Sequence, residues 1–316
     1  MQSKRELTIA MIITMKKLLY IALCVFAALG GILPQQLHSL TVEVSGGLDN
    51  LVFNPENDAV STEVTTAFEP NSVPFGLFRL SGIHKDVTYN LSILRDPILK
   101  NRLFIGAKAG NEYFTAEAGP MLAVLETPDI ILKPGAIGGI WFSYPGLLFV
   151  HAIGASTLEI SPDKVGNFTQ FNIDGGAGFW LPHLVASANI SFKSFTIRQQ
   201  SNFLTEDSML KYFFRGLIHT KNIPFTIQVD MGMATLKRSY IMQASSKDGI
   251  ESNAESDTFT TLFAGLEGVF SLTSRLKLLF GAEISIMSLD EEAFQMPESF
   301  LPFRMWTGVS FTFGRL

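Results

Sequence analysis

Residues 223–233 read IPFTIQVDMGM. Phe225, Ile227, Val229, Met231 and Met233 share one parity, and Thr226, Gln228, Asp230 and Gly232 share the other. Apolar residues two apart describe a strand with one apolar face, whereas a helix needs them three and four apart. The pattern recurs in RLKLLFGAEISI (275–286), where Leu276, Leu278, Phe280, Ala282, Ile284 and Ile286 oppose Lys277, Gly281, Glu283 and Ser285. It recurs in QFNIDGGAGFWL (170–181) and in VTYNLSI (87–93). In the closing stretch RMWTGVSFTFGRL (304–316), Met305, Thr307, Val309, Phe311 and Phe313 oppose Arg304, Trp306, Gly308, Ser310 and Thr312.

Extended along the chain, the alternation predicts strands at about 40–53, 73–83, 87–95, 102–109, 113–125, 135–143, 147–158, 168–181, 184–198, 209–219, 223–240, 258–272, 275–289 and 303–314. Every second joint is short: HKD, GNE, YPG, PH, TKN and TS. The intervening joints are longer, notably residues 54–72, 241–257 and 290–302. Short joints at one end and long ones at the other describe an up-and-down antiparallel sheet. A sheet this long must close, because unpaired edges invite aggregation. The least secure hairpin, 102–125, leaves twelve or fewer strands open.

The apolar face has two possible partners. In a soluble sandwich it meets a second sheet, and the loops are mixed in length. In a membrane barrel it meets lipid, the polar parity lines the lumen, and turns are short on one side and long on the other. The chain follows the second pattern. Nearly half its residues are hydrophobic and 17% are charged, which is apolar for a soluble protein and too polar for a bundle of membrane helices. Residues 135–157 carry no Asp, Glu, Lys or Arg and are long enough for a membrane helix. Pro145-Gly146 at their centre favours a hairpin turning at YPG instead.

Residues 1–39 read as a signal peptide: Lys16 and Lys17, then an apolar run, then polar PQQLHS. A cut after Ser39 is the expectation, with Met11 or Met15 as alternative starts, and 40–316 forms the barrel. Cys24 lies in the apolar run, where a lipoprotein reading is the alternative. The mature chain then has no cysteine, and removal of Lys4, Arg5, Lys16, Lys17 and Glu6 leaves a net charge of −8.

The closing stretch resembles the C-terminal assembly signal of bacterial outer-membrane β-barrel proteins: Gly308, then Phe311 and Phe313 two apart. It departs from that pattern in the tail Gly314-Arg315-Leu316, since such proteins often end on the aromatic. Size and strand number are most similar to monomeric fourteen-strand porins. The fatty-acid-transporter type also has fourteen strands but carries an N-terminal plug, and this chain enters its first strand at once. The resemblance implies a bacterial outer-membrane location, insertion by the barrel-assembly machinery, and contact with outer-membrane lipid.

An Arg or Lys unpaired at the lipid midplane costs about 2–4 kcal/mol, so isolated strand charges are expected to face inward. These are Glu43, Arg79, Lys108, Glu117, Asp174, Lys193, Arg215, Asp230, Glu267, Lys277, Glu283 and Arg304. They either line a hydrated pore or pair across a filled barrel; about fourteen strands make an interior too wide for wall side chains alone to fill. An inward-folding loop is the main alternative. The three long joints are acidic, at −4, −3 and −4, and the third holds Asp290, Glu291, Glu292 and Glu298 with no base. They predict cation enrichment at one mouth, or simply a solvated, repulsive surface. Aromatics are expected to form two interfacial bands: Tyr144, Phe179, Trp180, Phe225, Phe270, Phe311 and Phe313 near the short turns, and Phe53, Tyr240, Phe259 and Phe303 near the long loops.

Catalytic machinery is not evident. His84, His183 and His219 fall at short turns, and His151 alone lies within a strand. GGAG (175–178) lacks the helix a nucleotide loop needs. No metal-ligand spacing and no basic nucleic-acid patch are present, so no cofactor and no nucleic-acid partner are expected. The expectation is a passive outer-membrane pore for small hydrophilic solutes, mildly cation-selective. A closed structural or adhesin barrel is the second reading, and an outer-membrane enzyme the third.

Overall fold

The structure, a computed structural model, describes residues 38–50, 73–127, 129–158, 167–200, 203–219, 224–246, 249–289 and 303–314. The signal segment lies outside them, as do Asp290, Glu291, Glu292 and Glu298.

The described residues form fourteen strands: β1 (Ser39–Asp49), β2 (Val73–His84), β3 (Val87–Asp96), β4 (Lys100–Gly110), β5 (Phe114–Thr127), β6 (Asp129–Tyr144), β7 (Leu148–Thr157), β8 (Phe168–Trp180), β9 (Leu184–Gln200), β10 (Phe203–His219), β11 (Phe225–Ser246), β12 (Gly249–Ser271), β13 (Leu276–Ser288) and β14 (Phe303–Gly314). Each pairs antiparallel with its sequence neighbours, and β14 pairs with β1 from Ser39↔Gly314 to Asp49↔Arg304, which closes the barrel. Closure gives every strand two partners, the arrangement a bilayer demands because lipid offers the backbone no hydrogen bonds.

Residues facing each other across an antiparallel ladder point to the same side. Val229 faces Gly216 on β10 and Leu266 on β12, and Val229 and Leu266 are exposed. The same outward parity carries Val44, Tyr89, Ile140, Val150, Phe214, Met231, Ile284 and Met305, all exposed. An apolar belt of this extent has no place in water. With fourteen strands closed beneath it, the chain is a transmembrane up-and-down barrel. No helix among the described residues is long and apolar enough to cross a membrane.

The YPG hairpin joins β6 to β7, with Gly146 at φ +74°, a conformation that costs glycine nothing. The 102–125 hairpin is present as β4 and β5. Residues 241–257, expected as a loop, are mostly ladder: β11 runs to Ser246 and β12 starts at Gly249. The outer faces of these strands explain why. Above Phe192, Leu210 and Met233 the outward positions become Ser194, Glu206, Ser208 and Lys237. The apolar belt ends there, and β9–β12 continue past it as a polar-faced wall. Three aromatics also sit differently from expectation. Trp180, expected in the short-turn band, shares the inward parity of Asp174, with its ring 5.3 Å from Phe149. Phe259 pairs with Leu236 on the inward parity and is fully buried, and Tyr240 shares that parity. Neither joins the long-loop band.

The register makes a sharp comparison at neighbouring positions. In a cysteine-free mature chain, Asp230→Cys should react with a water-soluble thiol reagent at least about tenfold faster than Val229→Cys in lipid. Equal or reversed rates would mean a one-residue slip, which flips every face.

Candidate functional site: the barrel lumen

Three polar contacts reach across the hollow of the ring, between strands three or more places apart. Lys193 on β9 meets Asp96 at the end of β3, at 2.5 Å. Arg102 on β4 donates to the Asn172 side chain on β8. Lys211 on β10 pairs with Glu283 on β13. These identify the inward parity, and the ladders carry it around the ring. Glu43 faces Arg79, Lys108 faces Glu117, Arg215 faces Asp230, and Glu283 faces Arg304. Asp174 sits opposite Ser191, Lys193 opposite Asn172, Glu267 opposite Gln228, and Lys277 opposite Ser310. All twelve charges singled out in the sequence lie on the lumenal face.

Their surroundings differ along the axis. Near the short turns, Arg79 and Lys277 are exposed and Glu43, Lys108 and Glu117 half-buried. This end is a vestibule, with Lys108 over the Trp141 ring at 3.8 Å and Asn90 donating to Glu117 at 3.0 Å. At mid-height lies a cavity of about 550 Å³. Its walls bring together Arg102, Lys193, Lys211, Arg215 and Arg304 with Asp96, Asp174, Asp230, Glu267 and Glu283. Arg215 makes a two-pronged bond to Asp230, at 2.9 and 2.7 Å, a geometry that orients both groups. Arg304 lies over Phe75 at 4.2 Å, and Asp49 is 3.9 Å from its Nε. Asp174 accepts from Ser191 at 2.5 Å and from Asn172 at 3.1 Å. Bases and acids balance in this chamber, so it carries a transverse field with little net charge.

Toward the long-loop end the lumen is filled. Ile98, Ala123, Leu125, Phe168, Phe195, Met209 and Leu236 form a buried apolar cluster drawn from the β3–β4 turn, β5, β8, β9, β10 and β11. The turn itself, Pro97-Ile98-Leu99, folds into the barrel; Ile98 and Leu99 are 4% and 0% exposed. It reaches the far wall, where Asp96, Pro97 and Ile98 share a void of only about 20 Å³ with Asp49, Glu283 and Arg304. The inward fold is built locally. Asp96 Oδ1 accepts from the amides of Ile98 and Leu99 at 2.9 and 3.0 Å, leaving Oδ2 for Lys193. This is the Asx turn an Asp-Pro pair favours.

Sequence reasoning missed Asp96, Arg102, Lys133, Asp207, Lys211 and Arg238. Parity alone would have found three of them: Arg102 shares a face with Lys108, Lys211 with Arg215, and Arg238 with Asp230. For Asp96, the signal was RDPILK (95–100), a turn motif followed by two large apolar residues that a solvent loop would not need. His151 faces inward opposite Trp141 and Gly176, with its ring 6.3 Å from Phe149. Among the described residues no group of three His, Cys, Asp or Glu is placed to hold a metal. In the closing strand, Gly308 faces Ser45 of β1, and the Phe311 and Phe313 rings meet edge-on at 4.5 Å.

No protein-family model and no curated protein matches this chain. Similar solved structures are outer-membrane barrel proteins. One is a bacterial polysaccharide outer membrane secretin, at 9% identity over 88% of this chain and 98% of that one, with a TM-score of 0.42. The CymD monoaromatic hydrocarbon channel is 9% identical over 91% and 93%, with a TM-score of 0.38. A triple mutant of the Rh. blastica porin is 10% identical over 87% and 99%, with a TM-score of 0.31. Likenesses this loose carry no weight beside the barrel's own closure, outer face and lumen.

Proposed function

We propose that the chain is a bacterial outer-membrane channel for small hydrophilic solutes. The observation that supports the reading is the charged chamber of about 550 Å³ inside a closed barrel, a volume in the range of small-molecule sites. In this reading the chain is not an enzyme and takes no cofactor. Its partners are the lipid around it, the machinery that inserts it, and the solute. Liposome swelling with purified, refolded protein tests it directly: entry of small sugars or amino acids supports the channel, and no entry of any solute through folded protein rejects it.

The channel should lean toward cations. The chamber is balanced, so the preference comes from the acidic joints 54–72 and 290–302, which the sequence sets at −4 each. A ring of negative charge enriches cations when the Debye length is long, roughly 30 Å at 0.01 M salt against about 3 Å at 1 M. Reversal potentials across a salt gradient should therefore show cation preference that fades as salt rises. Neutralising Asp290, Glu291, Glu292 and Glu298 together should weaken it while leaving conductance intact. Anion preference at low salt would reject the mechanism.

The filled long-loop end favours a second reading, a permanently closed structural or adhesin barrel displaying acidic loops. Folded protein that stays silent in every bilayer experiment would support that reading.

A further inference from the structure

We infer that the Asp96–Lys100 turn is the gate of this barrel, a stopper seated in the long-loop end whose withdrawal opens the chamber below. The inference rests on the channel reading and says where that channel closes. Loop tips belong on the surface, since a buried loop must satisfy its own backbone. This one is buried and meets that condition alone. Asp96 binds the Ile98 and Leu99 amides, and the Lys100 ammonium donates to the Pro97 carbonyl at 3.2 Å. Lys100 takes a left-handed φ of +60°, which folds the turn back on itself. The turn can therefore leave its seat as one body without giving up those bonds.

What seats it is narrow. Among the described residues it makes one ion pair with the wall, Asp96–Lys193, beside the apolar contact of Ile98 in the cluster and the Lys100 ammonium over Phe195 at 5.4 Å. A fourteen-strand ring is too wide for wall side chains alone to fill, so the turn is the part that completes the seal. The seal is also imperfectly satisfied. Gln170, 1% exposed beside Phe195, has both side-chain amide atoms without a hydrogen-bond partner, and the Thr205 hydroxyl, buried higher in the lumen, has none either. Buried polar groups are nearly always paired, and water entering a withdrawn cap would pair these. The closed state is thus held by one ion pair and a small apolar body against two unmet polar side chains.

Two manipulations push the turn in opposite directions, read as single-channel open probability in planar bilayers. Lys193→Met removes the latch and leaves the buried Asp96 carboxylate without its ion-pair partner, which drives the turn toward water; open probability should rise about tenfold or more. Ile98→Cys with Met209→Cys, two residues that line the same small void, should lock the turn when oxidised and release it on reduction. Oxidised protein, its crosslink confirmed by mass, should lose at least about nine-tenths of its openings and regain them with reductant. Wild-type openings that persist unchanged in the crosslinked protein would overturn the gate and leave the channel standing. A silent wild type that conducts once Lys193 is replaced would support it. Silence of wild type, Lys193→Met and the reduced double cysteine, all shown to be folded, would overturn gate and channel together.

Discussion

Arg238→Ala is expected to cost the folded barrel about 3–5 kcal/mol, the usual penalty for breaking a buried ion pair by removing one partner. Arg238 is 2% exposed, and its Nε and a terminal nitrogen donate to the two oxygens of Asp207 at 2.6 and 2.8 Å. The pair ties β10 to β11 where these strands have risen past the apolar belt, inside the wall. The ladder also sets Asp257 of β12 opposite Arg238. Without the guanidinium, two carboxylates would flank an uncharged gap in a site with little water. Arg238→Lys should recover only part of the loss, because an ammonium cannot make the two-pronged contact. Asp207→Leu combined with Arg238→Met should cost less than Arg238→Ala alone, since no unpaired Asp207 remains. Urea unfolding in lipid vesicles, followed by the shift between boiled and unboiled gel mobility, measures each variant. A cost below about 1 kcal/mol for Arg238→Ala would show that water reaches this part of the lumen.

Phe214→Arg is expected to destabilise the barrel in lipid by about 2–4 kcal/mol. Phe214 is 74% exposed on the outer face, five residues from the short-turn end of β10. About nine to eleven residues of a tilted strand cross the bilayer, which puts it near the middle. Its neighbour is the control that nature supplies. Arg215, one residue on, faces the lumen and is paired with Asp230. One position thus holds a guanidinium as part of the fold, and the adjacent one should reject it. The measurement is the folding equilibrium in vesicles against the same variant in a micelle, where a thinner and softer apolar layer reduces the cost. A variant as stable as wild type in vesicles would mean that this face does not meet lipid.

Both predictions depend on side-chain parity, and parity was legible in the sequence. Val229 and Asp230 differ by one position, and alternation alone sent one outward and one inward. The short turns, the YPG hairpin and the ring of fourteen strands were legible for the same reason, since they depend on neighbours in sequence. The boundaries at the long-loop end were not. Residues 241–257 are rich in polar and acidic side chains, as loops are, and yet they continue the β11–β12 ladder. Once a strand passes the apolar belt its outer face need not be hydrophobic, so alternation fades there while the backbone pairing continues. Gln170 and Asp96 show the other limit. Each is a polar residue at a polar-parity position, and nothing local tells whether it meets water, an ion or an apolar seat.

The sequence by itself therefore determined that this chain is a barrel of about fourteen strands, with twelve or fewer left open, and which side chains of those strands face its interior. Those properties follow from a period of two and from the spacing of turns. Only the tertiary structure decided that the lumen has an exposed vestibule at one end, a charged chamber at mid-height and, at the other, a filled section around a buried apolar cluster. That division depends on bringing β3 within reach of β9, β4 of β8 and β10 of β13. Such neighbours are set by the closure and stagger of the whole ring, through contacts across its hollow, and no stretch of alternating residues carries that information.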